Sequence, residues 1–451
     1  MNNSWYICNA WIVNERRRFK GGILIIDGLI AGVYEGTEGE MPRLPAQTRT
    51  FDAGGKCLIP GVIDDQVHFR DPGLTDKGDL TTESRAAVAG GITSFMDMPN
   101  TIPCATTLEI LEKKYDLASG KSLANYSFFL GAANDNLDQI ISADPSRICG
   151  LKVFLGASTG NMLVDDPSTL ENIFRKSPLL VAVHAEEESI IRRNLTQYRE
   201  RYGDEIPMSA HPLIRSEEAC YVSSHKAVQL ARRHNTRLHL LHLSTAKELS
   251  LLDQDIPLTE KRITAEVCMH HLLYDDRAYP ELGPKIKWNP AIKTEKDRLA
   301  LFEGLLNGKI DIVATDHAPH TWEEKLRSYP DCPSGAPMVQ HCLVVMFGFI
   351  HEGKISIETV VEKMCHAPAV LYGIRNRGFI RKGFHADLTL IDLTAPWRVE
   401  KDNLLYKCGW SPLEGVTFPS RVTHTWVNGH LVYNNGIFDD GVKGKRLEFS
   451  R

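Results

Sequence analysis

From residue 56 to about 380, short apolar runs alternate with longer stretches whose apolar positions recur every three or four residues. The first pattern is that of a strand buried on both faces. The second is that of a helix laid over it. The runs fall at 57–63, 91–97, 125–131, 151–155, 179–183, 237–241, 262–267 and 310–315. Eight strands, each followed by helical sequence, are what a closed parallel (β/α)8 barrel needs. The stretch Glu217 to Arg233, with Ala219, Val222, Ala227, Val228 and Leu230 at helical spacing, is one of the expected outer helices.

The ends of the chain have a different pattern. Residues 5–13 are rich in aromatic and branched side chains, and Gly22 to Val33 is two apolar runs around Asp27-Gly28, a hairpin signal. Residues 386–392 and 423–433 repeat this pattern, the latter folding over Asn428-Gly429. Neither end is large enough for a core of its own. The pattern predicts one small β-sandwich from 1–55 and 381–451, flanking a barrel over 56–380.

A length of 451 residues accommodates a barrel of ~250 residues or more and a second unit. Hydrophobic content of 43%, charged content of 24% and a net charge of −5 are ordinary for a globular protein and point to neither nucleic acid nor a membrane surface as partner. No run is apolar enough to span a bilayer, and the N-terminus has no basic stretch leading into an apolar one. The ten cysteines form no CxxC pair. Reduced thiols and a cytoplasmic location are expected.

The chemistry collects where the apolar runs end. The first run leads into Gln66-Val67-His68, the fifth into His184, the sixth into His242 and the eighth into Asp316. Imidazole and carboxylate groups suit Zn²⁺, and all would lie on the carboxyl end of one barrel, where such barrels carry their sites. His239 precedes His242 by three positions, so strand alternation turns it away, into a structural role. His270-His271 follows the seventh run within reach of the site, as support and not as ligands. Lys152 stands inside an apolar strand, where a lone ammonium is costly. It needs a carboxylate partner or a change of charge, such as CO₂ addition to an anionic carbamate.

Together these motifs resemble the amidohydrolase superfamily and, within it, the dihydroorotases, over essentially the whole chain. The segments that carry the resemblance are Pro60 to Asp64 with His68 to Gly73, Met96 to Thr101, Gly150 to Lys152, His184 to Glu186, Leu241 to Thr245, Trp288 to Pro290 and Ala314 to His320. The resemblance implies a (β/α)8 barrel with a small β-sandwich, and one or two Zn²⁺ held by His68, Lys152 as the N6-carboxylated bridging ligand, His184, His242 and Asp316. It also implies a clamp of Arg70, Asn100 and His320 on a substrate carboxylate, and Asn289 against a pyrimidine ring. Pro333 to Pro337 would be a substrate-facing loop. The implied activity is reversible hydrolysis of the cyclic amide of dihydroorotate to N-carbamoyl-L-aspartate in pyrimidine biosynthesis. The metal lowers the pKa of water from ~15.7 to ~7. Asp316 takes the proton of that water and passes it to the leaving nitrogen.

One position departs from the family. Most members have His-x-His at the end of strand 1, and here the first of the two is Gln66, a weak neutral oxygen donor. One tightly held Zn²⁺ is expected, with a weakened second site. Asp65 could compensate by turning inward, but alternation points it away. Two rival readings remain. Hydantoinases, dihydropyrimidinases and allantoinases act on rings without a carboxylate and need no clamp. A non-catalytic subunit scaffolding aspartate transcarbamoylase would need no ligands. A homo-oligomer with a small-molecule substrate is expected. Gly156 to Asn161 and residues 321–337 are the candidate closing loops.

Overall fold

The computed structural model describes residues 4–36, 43–156 and 162–451. β1 (Ser4–Asn14), β2 (Arg17–Ile26) and β3 (Leu29–Glu35) form an antiparallel meander. Its second turn is Asp27-Gly28, with φ of +50° and +85°. A two-residue turn of this hand matches strand twist and needs left-handed backbone at both positions. β4 (Arg49–Asp52) and β5 (Cys57–Pro60) run parallel to β1 along its other edge.

The apolar run predicted at 57–63 is two strands. Cys57–Pro60 belongs to the terminal sheet, and only β6 (Val62–Val67) enters the barrel. Gly61 is the crossing point. A Cβ there would lie 2.1 Å from Thr93 Oγ1, and its N–H donates to Asp387 O at 2.8 Å. Hydrophobicity cannot separate the two halves, because both are buried.

The other barrel runs fall close to the expected positions. They are β7 (Ile92–Asp97), β8 (Asn125–Phe128) continued after one residue by β9 (Leu130–Gly131), β10 (Leu151–Phe154), β11 (Val181–His184), β12 (Leu238–Leu240), β13 (Ile263–Cys268) and β14 (Ile312–Ala314). Every neighbouring pair is parallel. The barrel closes where Val67 bridges His317 and His68 N–H donates to His317 O at 2.7 Å. The predicted helix is Glu217–His234, with Ala219, Ala227, Val228 and Ala231 buried.

At the far end, β15 (Leu388–Asp392) pairs with β5. Then come the short β16 (Trp397–Arg398) and β17 (Thr417–Phe418) ribbon, β18 (Arg421–Val427), β19 (His430–Asn434) and β20 (Ile437–Phe438). Among the described residues, strands from both ends make one continuous nine-stranded sheet. Ile7, Ile12, Ile25, Leu58, Leu390 and Trp426 share its core. After β20 the chain returns to the barrel: Leu447 N–H donates to Tyr126 O at 2.9 Å, and Leu447 and Phe449 are buried with Ile63, Met96 and Tyr372.

Candidate active site

Nine side chains singled out in the sequence line one cavity of about 320 Å³ at the carboxyl end of the barrel: His68, Arg70, Asn100, Lys152, His184, His242, Asn289, Asp316 and His320. Gln66, Phe154, Ala318 and Pro333 to Gly335 complete the wall. The substrate-facing loop expected at 333–337 therefore contributes through its first three residues. Residues 157–161 of the other candidate loop lie outside the described residues.

The strands position these groups by ending. Arg70, His242 and Asp316 have left-handed φ values of +67°, +40° and +45°. Side chains rarely tolerate this region, and such outliers concentrate where function holds them. The turn at His242 also changes the expected facing of His239. Alternation stops at Leu240, and both histidines face the barrel interior. Asp65 differs from expectation as well. A register shift between Asp64 and Val67 breaks the alternation of β6, so Asp65 turns inward below Gln66. There Asp65 Oδ2 accepts from Tyr372 Oη at 2.9 Å and lies 3.4 Å from His239 Nε2, which is also 3.2 Å from Glu266 Oε2. His239 and Glu266 stand on strands that are not neighbours of β6, so this contact crosses the barrel interior. Burial alone would depress the His239 imidazole, but Asp65 and Glu266 outweigh it and hold it up at about 9. Asp65 thus completes an ion-paired floor and does not line the cavity. Glu266 Oε1 accepts from the His242 backbone N–H at 3.0 Å, which ties this floor to the strained residue above it.

The donor groups form two pairs. In one, His184 Nδ1 and His242 Nε2 face each other at 2.9 Å. Burial pushes both imidazoles below their ordinary pKa, which keeps them neutral. His184 Nε2 lies 3.0 Å from Glu186 Oε2, and Glu186 is bonded in turn by Arg215. Burial would raise the Glu186 carboxyl, but Arg215 and His184 outweigh it and hold it at about 2. A carboxylate behind an imidazole is the usual way a ligand histidine is oriented. Glu186 was legible only as the second residue after His184, and Arg215 had no sequence signal. In the other pair, His68 Nε2 lies 3.2 Å from Asp316 Oδ1, and Gln66 Nε2 donates to the same oxygen at 3.2 Å. His68 Nδ1 is 2.7 Å from Asn100 Oδ1, so Asn100 orients an imidazole besides lining the cavity.

Lys152 is buried, and among the described residues no carboxylate comes within ion-pairing distance of its Nζ. Its Nζ lies 4.7 Å from the centroid of the Phe154 ring, and burial, only partly offset by Asp316 and Glu266, pushes its pKa down to about 8. An unpaired buried ammonium, two converging neutral imidazoles and the buried, unpartnered Gln66 Oε1 fit a divalent ion of the Zn²⁺ type.

The far wall is cationic. Arg70 is 7% exposed, and its Nε donates to Pro319 O at 3.0 Å. His320 Nδ1 lies 3.2 Å from Lys77 Nζ, and Nε2 lies 3.1 Å from both Ser334 O and Arg70 Nη2. With Lys77 donating to Nδ1, the ring proton belongs on Nε2 and points to Ser334 O. Among the described residues, the outer edge of the guanidinium is then left without an acceptor. Burial, followed by Arg70, pushes the His320 imidazole down to about 3, so it stays neutral.

The model of the amidohydrolase family matches residues 57–432. The dihydroorotase of Methanothermobacter thermautotrophicus is 32% identical over 92% of this chain and 91% of its own length. That of Pyrococcus furiosus is 30% identical over 96% and 94%. Among solved structures, the L-hydantoinase (dihydropyrimidinase) of Arthrobacter aurescens superposes with a TM-score of 0.89 at 26% identity, covering 96% of this chain and 97% of that one. The dihydropyrimidinase of Brevibacillus agri, at 24% identity and a TM-score of 0.87 over 99% and 100%, shares the fold.

Proposed function

Because this chain belongs to the amidohydrolase family, we propose that it opens and closes the cyclic amide of dihydroorotate, interconverting it with N-carbamoyl-L-aspartate. It is a metal-dependent cyclic amidohydrolase with a small-molecule substrate. The observation that selects the substrate is Arg70, a buried guanidinium with an open edge in the cavity that also holds the donor pairs. A planar fork without a protein carboxylate is suited to a ligand carboxylate, which dihydroorotate has and hydantoin lacks.

His184 and His242 would hold one Zn²⁺, His68 and Asp316 a more weakly bound second, and Lys152 would lie between them. CO₂ addition suits Lys152: the ammonium first gives up one proton, the neutral nitrogen then bonds the carbon of CO₂ and gives up a second, and an anionic carbamate replaces an unpaired buried ammonium. When bound, the ion supplies Lewis acidity that acidifies water and polarises the ring carbonyl. The remaining work falls to the chain. Arg70, with the neutral His320 beside it, fixes the substrate carboxylate away from the reacting amide, so binding energy there sets orientation. Asn289 Oδ1, buried and without a partner among the described residues, accepts from a ring N–H. Asp316 takes a proton from the attacking water and returns it to the leaving nitrogen. Its oxygen is held for this by the Gln66 amide. A place in pyrimidine biosynthesis follows from the family resemblance, a cytoplasmic location from the sequence reading, and association with aspartate transcarbamoylase belongs to the scaffold reading that Gln66 supports.

The test is turnover of dihydroorotate against hydantoin by metal-loaded protein. Dihydroorotate is expected to be the better substrate. Arg70→Ala should lower its kcat/KM roughly tenfold to 150-fold, since a hydrogen bond to a charged group is worth about 1.5–3 kcal/mol, while leaving any hydantoin turnover unchanged. Equal losses on both rings would refute the carboxylate clamp. No turnover of either, in protein that binds metal, would favour the scaffold.

A further inference from the structure

The carboxyl end of β13 carries a second donor cluster that the chemistry above does not use. Cys268 closes the strand, and His270 and His271 open the short helix Met269–Leu273. All three are at most 3% exposed. One donor atom from each lies within 4.8 Å of the other two.

The hydrogen bonding of the two imidazoles points to a ligand. His271 Nε2 is 3.1 Å from Pro290 O, so that nitrogen carries the proton and donates to the carbonyl. The lone pair is therefore on Nδ1, which is buried without a partner. A histidine that donates one ring N–H to a backbone carbonyl and presents the other nitrogen bare is arranged as a metal ligand. Among the described residues, His270 has no hydrogen-bond partner on either nitrogen. Its ring stacks on Trp288 at 4.1 Å and 5°. A phenylalanine would stack equally well without leaving two buried polar atoms unsatisfied, so packing does not explain a histidine here. Among the described residues, the other group of converging donor atoms, Asp65, His239 and Glu266, has its imidazole between two carboxylates and Asp65 bonded by Tyr372, and only Asp65 Oδ1 is left without a hydrogen bond.

We propose that Cys268, His270 and His271 form a separate site for a thiophilic metal ion of the Zn²⁺ type. One sulfur and two imidazole nitrogens are a common zinc donor set and leave a fourth position for a solvent-derived ligand. It differs in kind from the cavity set, which contains no thiol. Binding exchanges the thiol proton for a metal–sulfur bond and releases that proton to solvent. His270 stacks on Trp288 and His271 is bonded to Pro290, and between those two residues stands Asn289, which lines the cavity. The ion would fasten the segment that presents Asn289 to substrate. The proposal stands on the three side chains and is independent of which ring the cavity hydrolyses.

The test uses the full chain, stripped with a chelator and reloaded anaerobically with Co²⁺. The expected result is a near-ultraviolet thiolate-to-cobalt charge-transfer band in the wild type. It should be absent in Cys268→Ser, with one fewer equivalent of metal bound, and present in His184→Ala, which removes a cavity ligand only. A saturated wild type without the band would overturn the site, as would a band that survives in Cys268→Ser or vanishes in His184→Ala. Should Cys268→Ser fail to fold, His270→Phe carries the test, because it keeps the stack on Trp288 and removes both nitrogens. Loss or displacement of its band with the fold intact supports the site, and an unchanged band overturns it.

Discussion

Gln66 Nε2 donates to Asp316 Oδ1, whereas an imidazole in its place would present a lone pair to an ion. The amide can offer only Oε1, a neutral and weak donor for Zn²⁺. This single position sets the occupancy of the His68 and Asp316 half of the cavity, while His184 and His242 are untouched by it. On a Cys268→Ser background, which confines the count to the cavity, one zinc per chain is expected after dialysis. Adding Gln66→His should raise the count to two by elemental analysis. Two equivalents with Gln66 present would defeat the weakened-site reading. Arg70 was legible from its place two residues after His68. Its open edge was not, because that depends on Lys77 fixing the tautomer of His320 from another segment.

The loop at 328–335 is held by two lysines that look like surface residues in the sequence. Lys325 Nζ donates to Pro333 O at 2.8 Å and Gly335 O at 2.9 Å, and Lys287 Nζ donates to Tyr329 O at 2.8 Å and to Cys332 O. Both are buried, and the carbonyls they bind belong to the stretch that puts Ser334 and Gly335 in the cavity wall. Lys325→Met fills the same space but leaves two carbonyls without a donor, at about 1–3 kcal/mol for each buried group left unsatisfied. The expected outcome is a raised KM for dihydroorotate with kcat less affected, and faster proteolytic cleavage of the loop. A KM equal to wild type would show that the loop holds its place without the lysine. The strand ends carry a parallel lesson. Period-two alternation put Gln66 and His68 on one face, and both line the cavity. It failed for Asp65 and His239, where a register shift and a left-handed residue interrupt it.

At the scale of the whole molecule, the terminal sheet and the barrel are fastened by one buried polar cluster. Asp387 accepts from Arg377, from Asn125 Nδ2 at 3.2 Å and from the Asn428 N–H at 2.7 Å, and Asn428 Nδ2 donates to Asn125 Oδ1 at 2.7 Å. Asn125 belongs to the barrel, Asn428 to the β18–β19 turn and Arg377 to the segment between them. Removing one partner of a buried pair leaves the other charge uncompensated, at about 3–5 kcal/mol. Asp387→Ala should therefore lower the unfolding free energy by that amount, moving the urea midpoint down, and separate the unfolding of sheet and barrel, followed by near-ultraviolet circular dichroism and tryptophan fluorescence. A single transition at the wild-type midpoint would show that the cluster does not couple the two parts. The sequence by itself determined the barrel, the strands at both ends of the chain and the positions of His68, Lys152, His184, His242 and Asp316 along its strands, because periodicity and the ends of apolar runs are local properties. Arg70, Asn100, Asn289 and His320 were read from the family resemblance. Only the tertiary structure decided that the apolar run at 57–63 crosses from sheet to barrel at Gly61. It alone also placed Asp65 in the floor and set His270 and His271, with their bare nitrogens, beside Cys268. Those outcomes depend on which distant groups do or do not arrive to satisfy a buried polar atom, and no pattern along the chain encodes them.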